Sequence, residues 1–270
     1  MTDAVSTNTM TDRPLNGLSV LVTRPLNQAS SLISQLQLQG ANVLHQPAIA
    51  IEAAFDSAQL PLLQSINNYD LLIFISQNAV EHGLSLVSNY QTIDKSLQIA
   101  AIGQSTQQTL LVNGFDNVIS PQAGFDSETL LATAALSAEQ IKDKKVLIIR
   151  GGEGRELLKD VLESRSAKVD YLDVYRRQRA ALVIDPTDLS SLDIITVSSQ
   201  QGLENLLSMF DAVPKKQILD KILITPSKRC SERARELGFN QIETAANATD
   251  NAMLSCIVDK IINSDRAKDK

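Results

Sequence analysis

The chain has 270 residues and a formal net charge of -6; 43% of its residues are hydrophobic, 4% are aromatic and none is Trp. Such a length fits one or two domains with ordinary cores. The negative charge argues against a long polyanionic partner such as nucleic acid, and the scarcity of aromatics argues against stacking platforms for bases or sugars.

In chain order, the opening Met1 to Met10 is polar and lacks the apolar core of a signal peptide. Short apolar runs then alternate with segments of helical period. Strands are predicted at 18–23, 42–46, 71–75, 98–102, 117–119, 145–149, 193–197, 221–225 and 241–244. Helices are predicted at 27–39, 57–66, 77–88, 105–113, 127–136, 154–165, 200–210, 228–237 and 250–262. Leu71 to Ile75 and Val146 to Ile149 are continuously apolar, as strands buried on both faces of a parallel sheet are. Gly40, Gly114 and Gly238 fall at helix ends where a left-handed residue is wanted. No apolar run reaches the ~18 residues of a membrane span, so a cytoplasmic protein without a membrane partner is expected. Residues 1–14 and 265–270 are expected to be disordered tails.

The chain is also duplicated. Leu21 to Val43 aligns without a gap on Leu147 to Val169, placing Arg24 on Arg150. Asp70 to Gln77 then aligns on Asp193 to Gln200, and Gly114-Phe115 on Gly238-Phe239. A period of roughly 125 residues is that of a domain, because solenoid periods run from about 20 to 50. Regular βα alternation in each copy predicts two similar doubly wound parallel-sheet lobes with a cleft between them. Two extended segments, His45 to Glu52 and Asp170 to Gln178, occupy equivalent places in the repeat. Either each prolongs a sheet, giving successive lobes, or the two pair as connectors and the chain crosses twice.

Ligands of open α/β sheets bind at the carboxyl ends of strands, where helix N-termini offer free amides. Six such ends carry small, hydroxyl or amide residues: Thr23-Arg24; Ser76, Gln77 and Asn78; Gly103 with Ser105 and Thr106; Arg150, Gly151 and Gly152; Ser198, Ser199 and Gln200; and Thr225-Pro226-Ser227. Each Ser or Thr there also reads as an ordinary N-cap. The set as a whole suits a ligand with several carboxylates. A local excess of Lys and Arg between Lys142 and Arg179 fits a small anion, or a solvated face of mutually paired charges. Gly151-Gly152-Glu153-Gly154 is neither a dinucleotide fingerprint nor a phosphate loop. Its paired glycines still allow close approach by a ligand. Cys230, Cys256, His45 and His82 stand apart from one another, so neither a metal site nor a nucleophile triad is expected, and no cofactor. An enzyme built on this chain would work mainly by holding a reactive substrate.

Several segments carry a family likeness: Val20-Leu-Val-Thr-Arg-Pro25, Phe74-Ile-Ser-Gln-Asn-Ala-Val80, Ala101-Ile-Gly-Gln-Ser-Thr106 and Gly124 to Leu131. So do Val146 to Gly151 with Gly154-Arg155, Val174-Tyr-Arg-Arg177, Val197-Ser-Ser199, Glu232 to Phe239 and Ala246 to Asp250. Together, over residues 15–262, the chain resembles the uroporphyrinogen-III synthases. The likeness implies the crossed arrangement. One lobe would hold 15–46 and 179–264, the other 53–170, and an antiparallel connector would be made from 47–52 and 171–178. It implies a cyclising hydro-lyase of porphyrin biosynthesis acting on hydroxymethylbilane, a linear tetrapyrrole with eight carboxylates. The likeness further implies that no metal or prosthetic group takes part, that the protein is a monomer, and that substrate can pass to it by transient hand-over from hydroxymethylbilane synthase. Tyr175, in the Val-Tyr-Arg motif, is implicated in proton transfer or in assisting hydroxyl departure; its alternative is a packed connector aromatic. Arg24, Arg150 and Arg155 become candidates for carboxylate contact, with helix-end pairing as their alternative. Gln77, Ser166-Ala167 and Ser227-Lys-Arg-Cys230 depart from the commoner family pattern. A non-catalytic, synthase-like binder of tetrapyrroles or small anions is the competing reading.

Overall fold

Most of the continuous apolar runs become the central strands of two sheets. The computed structural model describes residues 13–124, 126–152 and 156–268. In chain order the first elements are β1 (Ser19–Val22), α1 (Leu26–Leu38), β2 (Asn42–His45), β3 (Ile49–Ala53), α2 (Leu60–Gln64), β4 (Leu71–Phe74) and α3 (Gln77–Ser88). Next come β5 (Gln98–Ala101), α4 (Gln104–Val112), β6 (Val118–Ile119), α5 (Ser127–Leu131), α6 (Ala138–Ile141), β7 (Lys145–Gly151), α7 (Leu157–Ser164) and β8 (Lys168–Arg179). The last are β9 (Ile194–Thr196), α8 (Gln200–Ser208), α9 (Ala212–Leu219), β10 (Ile222–Thr225), α10 (Lys228–Glu236), β11 (Gln241–Thr244) and α11 (Asp250–Lys268).

The chain divides into two compact units, one from the described residues of Met1–Ala50 and Gln178–Lys270, the other from Ile51–Arg177. The first unit holds a five-stranded sheet in the order β11-β10-β9-β1-β2. All its pairings are parallel, with Val20 beside Ile194 and Val43. Leu21, Ile195 and Leu223 pack with Leu203, Leu206 and Phe239 on one face. Val20, Val22, Ile194 and Ile224 pack with Leu32, Leu36, Met253 and Ile257 on the other. This two-sided burial is why these strands lack polar alternation.

The second unit holds a six-stranded sheet in the order β3-β8-β7-β4-β5-β6. Its inner pairings are parallel, and Leu72, Phe74, Leu147 and Ile149 face one core while Leu71, Ile73, Val146 and Ile148 face another. The Ala54 amide donates to Val174 and the Ala180 amide to Ala48, so rising numbers along β3 meet falling numbers along β8. That pair is antiparallel and carries the chain from one unit to the other and back. It is not a free-standing ribbon, because the first half of β8 also pairs with β7.

The duplication survives at the level of single hydrogen bonds. Asp70 Oδ2 accepts the Lys145 amide at 2.8 Å, and its counterpart Asp193 Oδ2 accepts the Ser19 amide at 2.8 Å. Each carboxylate thereby clips the first residue of a neighbouring strand. The helices α1 and α7 end alike: the Ala41 amide reaches back to Leu36, and the Ala167 amide to Leu162. The left-handed residue that closes the turn is Gly40 (φ 93°) in one copy and Ser166 (φ 67°) in the other.

Five elements differ from the expected pattern; the helix predicted at 127–136 is α5 followed by a 3-10 turn at 134–136, and α6 has no predicted counterpart. The segment predicted as one helix at 57–66 is a 3-10 turn, the five-residue α2 with Pro61 in its first turn, and a second 3-10 turn. α9 was not expected, since Pro214 and Lys215-Lys216 interrupt the apolar period and only Ile218 is buried. α11 continues to Lys268, past 262 and into residues expected to be a disordered tail.

Candidate functional site

In the second unit, the carboxyl ends of β4 and β7 and the middle of β8 bring together Ser76, Gly151 and Tyr175. Ser76 has extended backbone and caps α3, its Oγ accepting the Ala79 amide at 3.1 Å. The same Oγ lies 3.1 Å from the Tyr175 hydroxyl, and either atom can donate. Tyr175 is 3% exposed. Its orientation comes from a register shift: Arg150 pairs with Asp173 but Gly151 pairs with Tyr175, leaving Val174 as an extra residue. Strict alternation would set Tyr175 on the face of Tyr171 and Asp173. The bulge turns it to the face of Leu172 and Val174, where it joins the core beside Phe74 and Ile149. The His82 ring stands 5.8 Å from the Tyr175 ring at a tilt of 32°.

Asn78, on the first turn of α3, is 4% exposed, and its Oδ1 is buried without a hydrogen-bond partner. Gln77 turns outward and donates to Thr109 at 3.3 Å. Gly103 caps α4 through its backbone alone, in an extended conformation open to any residue, while Thr106 is buried and Ser105 is exposed.

Arg150 lies on the other face of β7. Its Nε donates to Asp173 at 3.0 Å, its Nη1 to Glu156 at 3.1 Å, and its guanidinium covers the Tyr171 ring at 3.4 Å. The Tyr171 hydroxyl donates to Glu156 at 2.9 Å. Burial, reinforced by that bond, raises the Tyr171 pKa well above the usual phenol value and keeps it protonated. The bonds from Arg150 and Tyr171 hold the Glu156 carboxyl below the usual range. For Arg150 burial opposes the charge, and the bonds to Glu156 and Asp173 outweigh it, raising its pKa. A small cavity of about 160 Å³ opens here, lined by Ile75, Ile102, Ser127, Ile148 and Leu158 as well as Arg150 and Tyr171. Arg155 lies outside the described residues.

In the first unit, Ser198, Ser199, Gln200 and Ser227 line one concavity of about 530 Å³. Ser199 caps α8 by accepting the Gly202 amide at 3.0 Å, and Ser227 caps α10 by accepting the Cys230 amide at 3.4 Å. Gln200 and Arg229 join the two helix starts reciprocally: Gln200 Nε2 donates to the Arg229 carbonyl and Arg229 Nε to Gln200 Oε1. Two helix N-termini and the Arg229 guanidinium offer donors here, and Glu204, paired with Arg233, lines the same concavity. Arg24 stands outside it, paired with Asp250 at 2.5 Å and with the Ala248 carbonyl. A larger concavity of about 800 Å³ along β11 and α11 contains none of the expected residues.

Sequence reasoning missed His82, Glu156, Asp173 and Asp250. His82 alone left a signal: it follows Asn78 by four residues, one turn along the same helix face. Among the described residues no group of three or more His, Cys, Asp or Glu is placed to hold a metal ion, and no helix is long and apolar enough to cross a membrane.

The fold and these strand ends define a two-unit, doubly wound α/β protein with donor-rich carboxyl ends. Comparison with known proteins narrows the class. The family model described as uroporphyrinogen-III synthase HemD matches residues 30–255. The uroporphyrinogen-III synthase of Escherichia coli K12 is 31% identical over 249 residues, which is 89% of this chain and 100% of that protein. The synthase of Proteus mirabilis is 35% identical over 162 residues, 59% of this chain and 80% of that protein. In fold, the chain is similar to the uroporphyrinogen-III synthetase of Helicobacter pylori 26695, with a TM-score of 0.56, 15% identity, and coverage of 90% of this chain and 99% of that one. A mutant uroporphyrinogen III synthase of Thermus thermophilus gives a TM-score of 0.55 at 15% identity, covering 92% of this chain and 99% of that one. The chain belongs to the uroporphyrinogen-III synthase family.

Proposed function

We infer that this chain cyclises hydroxymethylbilane to uroporphyrinogen III, inverting the terminal pyrrole and releasing one water. The observation that carries the reading is the match along the whole length of the Escherichia coli synthase. The strand ends of each unit support it chemically. Capped helix starts and the Gln200–Arg229 pair offer donors for carboxylates, and the buried Ser76–Tyr175 hydroxyl pair offers one place for a proton to move.

In this reading the departing substrate hydroxyl takes the Tyr175 proton and leaves as water. The resulting protonated azafulvene is attacked by the substituted carbon of the terminal pyrrole, giving a spiro intermediate. Fragmentation and recombination close the ring, and the proton lost as the pyrrole regains aromaticity returns to Tyr175. Only water leaves. Unassisted closure is easy but gives the unrearranged isomer, so the protein contributes by holding the chain ends and excluding water. Ser76 orients the phenol. Arg24 and Arg150 are engaged by internal carboxylates and act in this reading as scaffolding, with substrate carboxylates held chiefly at helix starts. The chain acts as a monomer and receives its substrate from hydroxymethylbilane synthase.

The test is to supply hydroxymethylbilane and resolve uroporphyrin isomers I and III after oxidation. Isomer III in excess of the enzyme-free reaction is expected; isomer I alone would refute the assignment and leave a non-catalytic binder.

A further inference from the structure

We propose that Gly151 is a positioning residue for Tyr175, and that its missing side chain makes a socket for the phenol ring rather than a passage for substrate. The proposal rests on the catalytic reading of Tyr175 given above.

Three observations carry it. The first is distance. A Cβ built on Gly151 would lie 2.6 Å from Tyr175 Cε2, 2.7 Å from Cζ and 3.1 Å from Cδ2. Carbon atoms at rest stand about 3.5–4.0 Å apart, so the ring could not stay where it is. The second is conformation. Gly151 is not among the glycines of positive φ, so its backbone would accept any residue, and space is the reason for glycine here. At its neighbour Gly152 a Cβ would meet nothing within 4 Å, so the pressure is confined to one of the pair.

The third is the bulge. Gly151 pairs with Tyr175 at the register shift that turns this side chain toward Ser76, and the Gly152 amide donates to the Tyr175 carbonyl at 3.0 Å. Backbone pairing thus fixes the Tyr175 main chain against β7, and the ring must lie flat over the residue opposite. Only a residue without a Cβ leaves the hydroxyl within 3.1 Å of Ser76. Phe74, Ile149 and Val174 belong to the same close-packed core as the ring.

The experiment compares wild type, Gly151→Ala, Tyr175→Leu and the double variant. Steady-state formation of isomer III gives kcat and KM, thermal unfolding gives stability, and the 13Cζ resonances of the four tyrosines report the ring. Gly151→Ala is expected to lower kcat about 10- to 100-fold, the usual result of an ångström-scale misplacement, with KM changed less than about twofold. The Tyr175 resonance should move. In the Tyr175→Leu background the ring is gone, and the same substitution should change neither kcat nor Tm appreciably. Equal kcat and an unmoved resonance in Gly151→Ala overturn the proposal. So does an equal loss in both backgrounds, which would make Gly151 a site of substrate approach. If Gly151→Ala unfolds, restoration of Tm in the double variant supports the socket, and its failure to recover refutes it. Wild-type protein that forms no isomer III would end the functional reading, while the resonance and Tm arms would still decide the socket.

Discussion

The carboxyl ends of β1 and β7 occupy the same place in the repeat, and they are now built differently. Both strands carry an arginine at the same place, Arg24 and Arg150, and both arginines are neutralised from within, by Asp250 and by Glu156 with Asp173. Beyond the arginine they part. In the first unit Pro25 follows and starts α1 at once. In the second, Gly151 follows and receives an aromatic ring. Six residues past the aligned Val43 and Val169 stand Ile49 and Tyr175. The serine caps Ser199 and Ser76 are preserved, but only Ser76 has a phenol beside it. In the proposed reading, both copies offer serine-capped helix starts to substrate carboxylates, and proton transfer belongs to the copy with the phenol.

This asymmetry predicts its largest effect at Tyr175. Tyr175→Phe should lower kcat for isomer III about 100-fold, or ~3 kcal/mol of barrier, in the lower range for a lost proton-transfer group. Ile49→Val, at the corresponding place, should leave kcat within about twofold. Equal effects in the isomer assay would break the comparison. Next come the arginines. Arg150→Met should cost about 3 kcal/mol in urea unfolding and Arg24→Met about 2 kcal/mol. Both abandon partly buried carboxylates, and only Arg150 also gives up an aromatic face at 3.4 Å.

Smaller effects are expected where the two helix ends diverge. Gly40→Ser should cost about 2 kcal/mol, because φ is 93° and the new Cβ would lie 3.1 Å from the Asn16 backbone. Ser166→Gly should gain about 0.5 kcal/mol, relief of a left-handed serine offset by a more flexible unfolded chain. Thermal unfolding of both variants checks the pair. The smallest effect concerns Asp70. The Lys145 amide, aided by Lys144, holds its carboxyl below the ordinary aspartate range. Its folded value is therefore depressed, so its stabilisation is complete above the ordinary range and is lost as pH falls through the folded value. Asp70→Asn should flatten the acid side of the stability profile by a few tenths of a kcal/mol, a figure reduced because the side chain is 39% exposed.

Much of the fold was legible in the residues because burial on both faces leaves unbroken apolar runs, as at Leu71–Phe74. The caps were legible too, since Ser76, Ser199 and Ser227 precede periodic segments and each accepts an amide three residues on. What could not be read depends on pairings far apart in sequence. Arg24 and Asp250 are separated by 226 positions, and nothing local marks them as partners. The bulge at Val174 is a matter of register between β7 and β8, and the strand sequence is the same with or without it. Gly151 illustrates the limit well. Paired glycines suggest close approach by a ligand, and no local signal tells that a Cβ at Gly151 would meet the ring of Tyr175.

The strand order of the first unit has a consequence for biosynthesis. β1 lies between β2 and β9, and its partner β9 is made much later; the Ser19 amide and Asp193 are 174 residues apart. A ribosome adding 5–20 residues per second leaves β1 without that neighbour for roughly ten to thirty seconds. The second unit, Ile51–Arg177, is contiguous and complete before β9 emerges. The inserted unit can therefore fold on the ribosome while the unit that brackets it waits, its Val20-Leu21-Val22 strand having only α1 and β2 to pack on until the C-terminal third arrives.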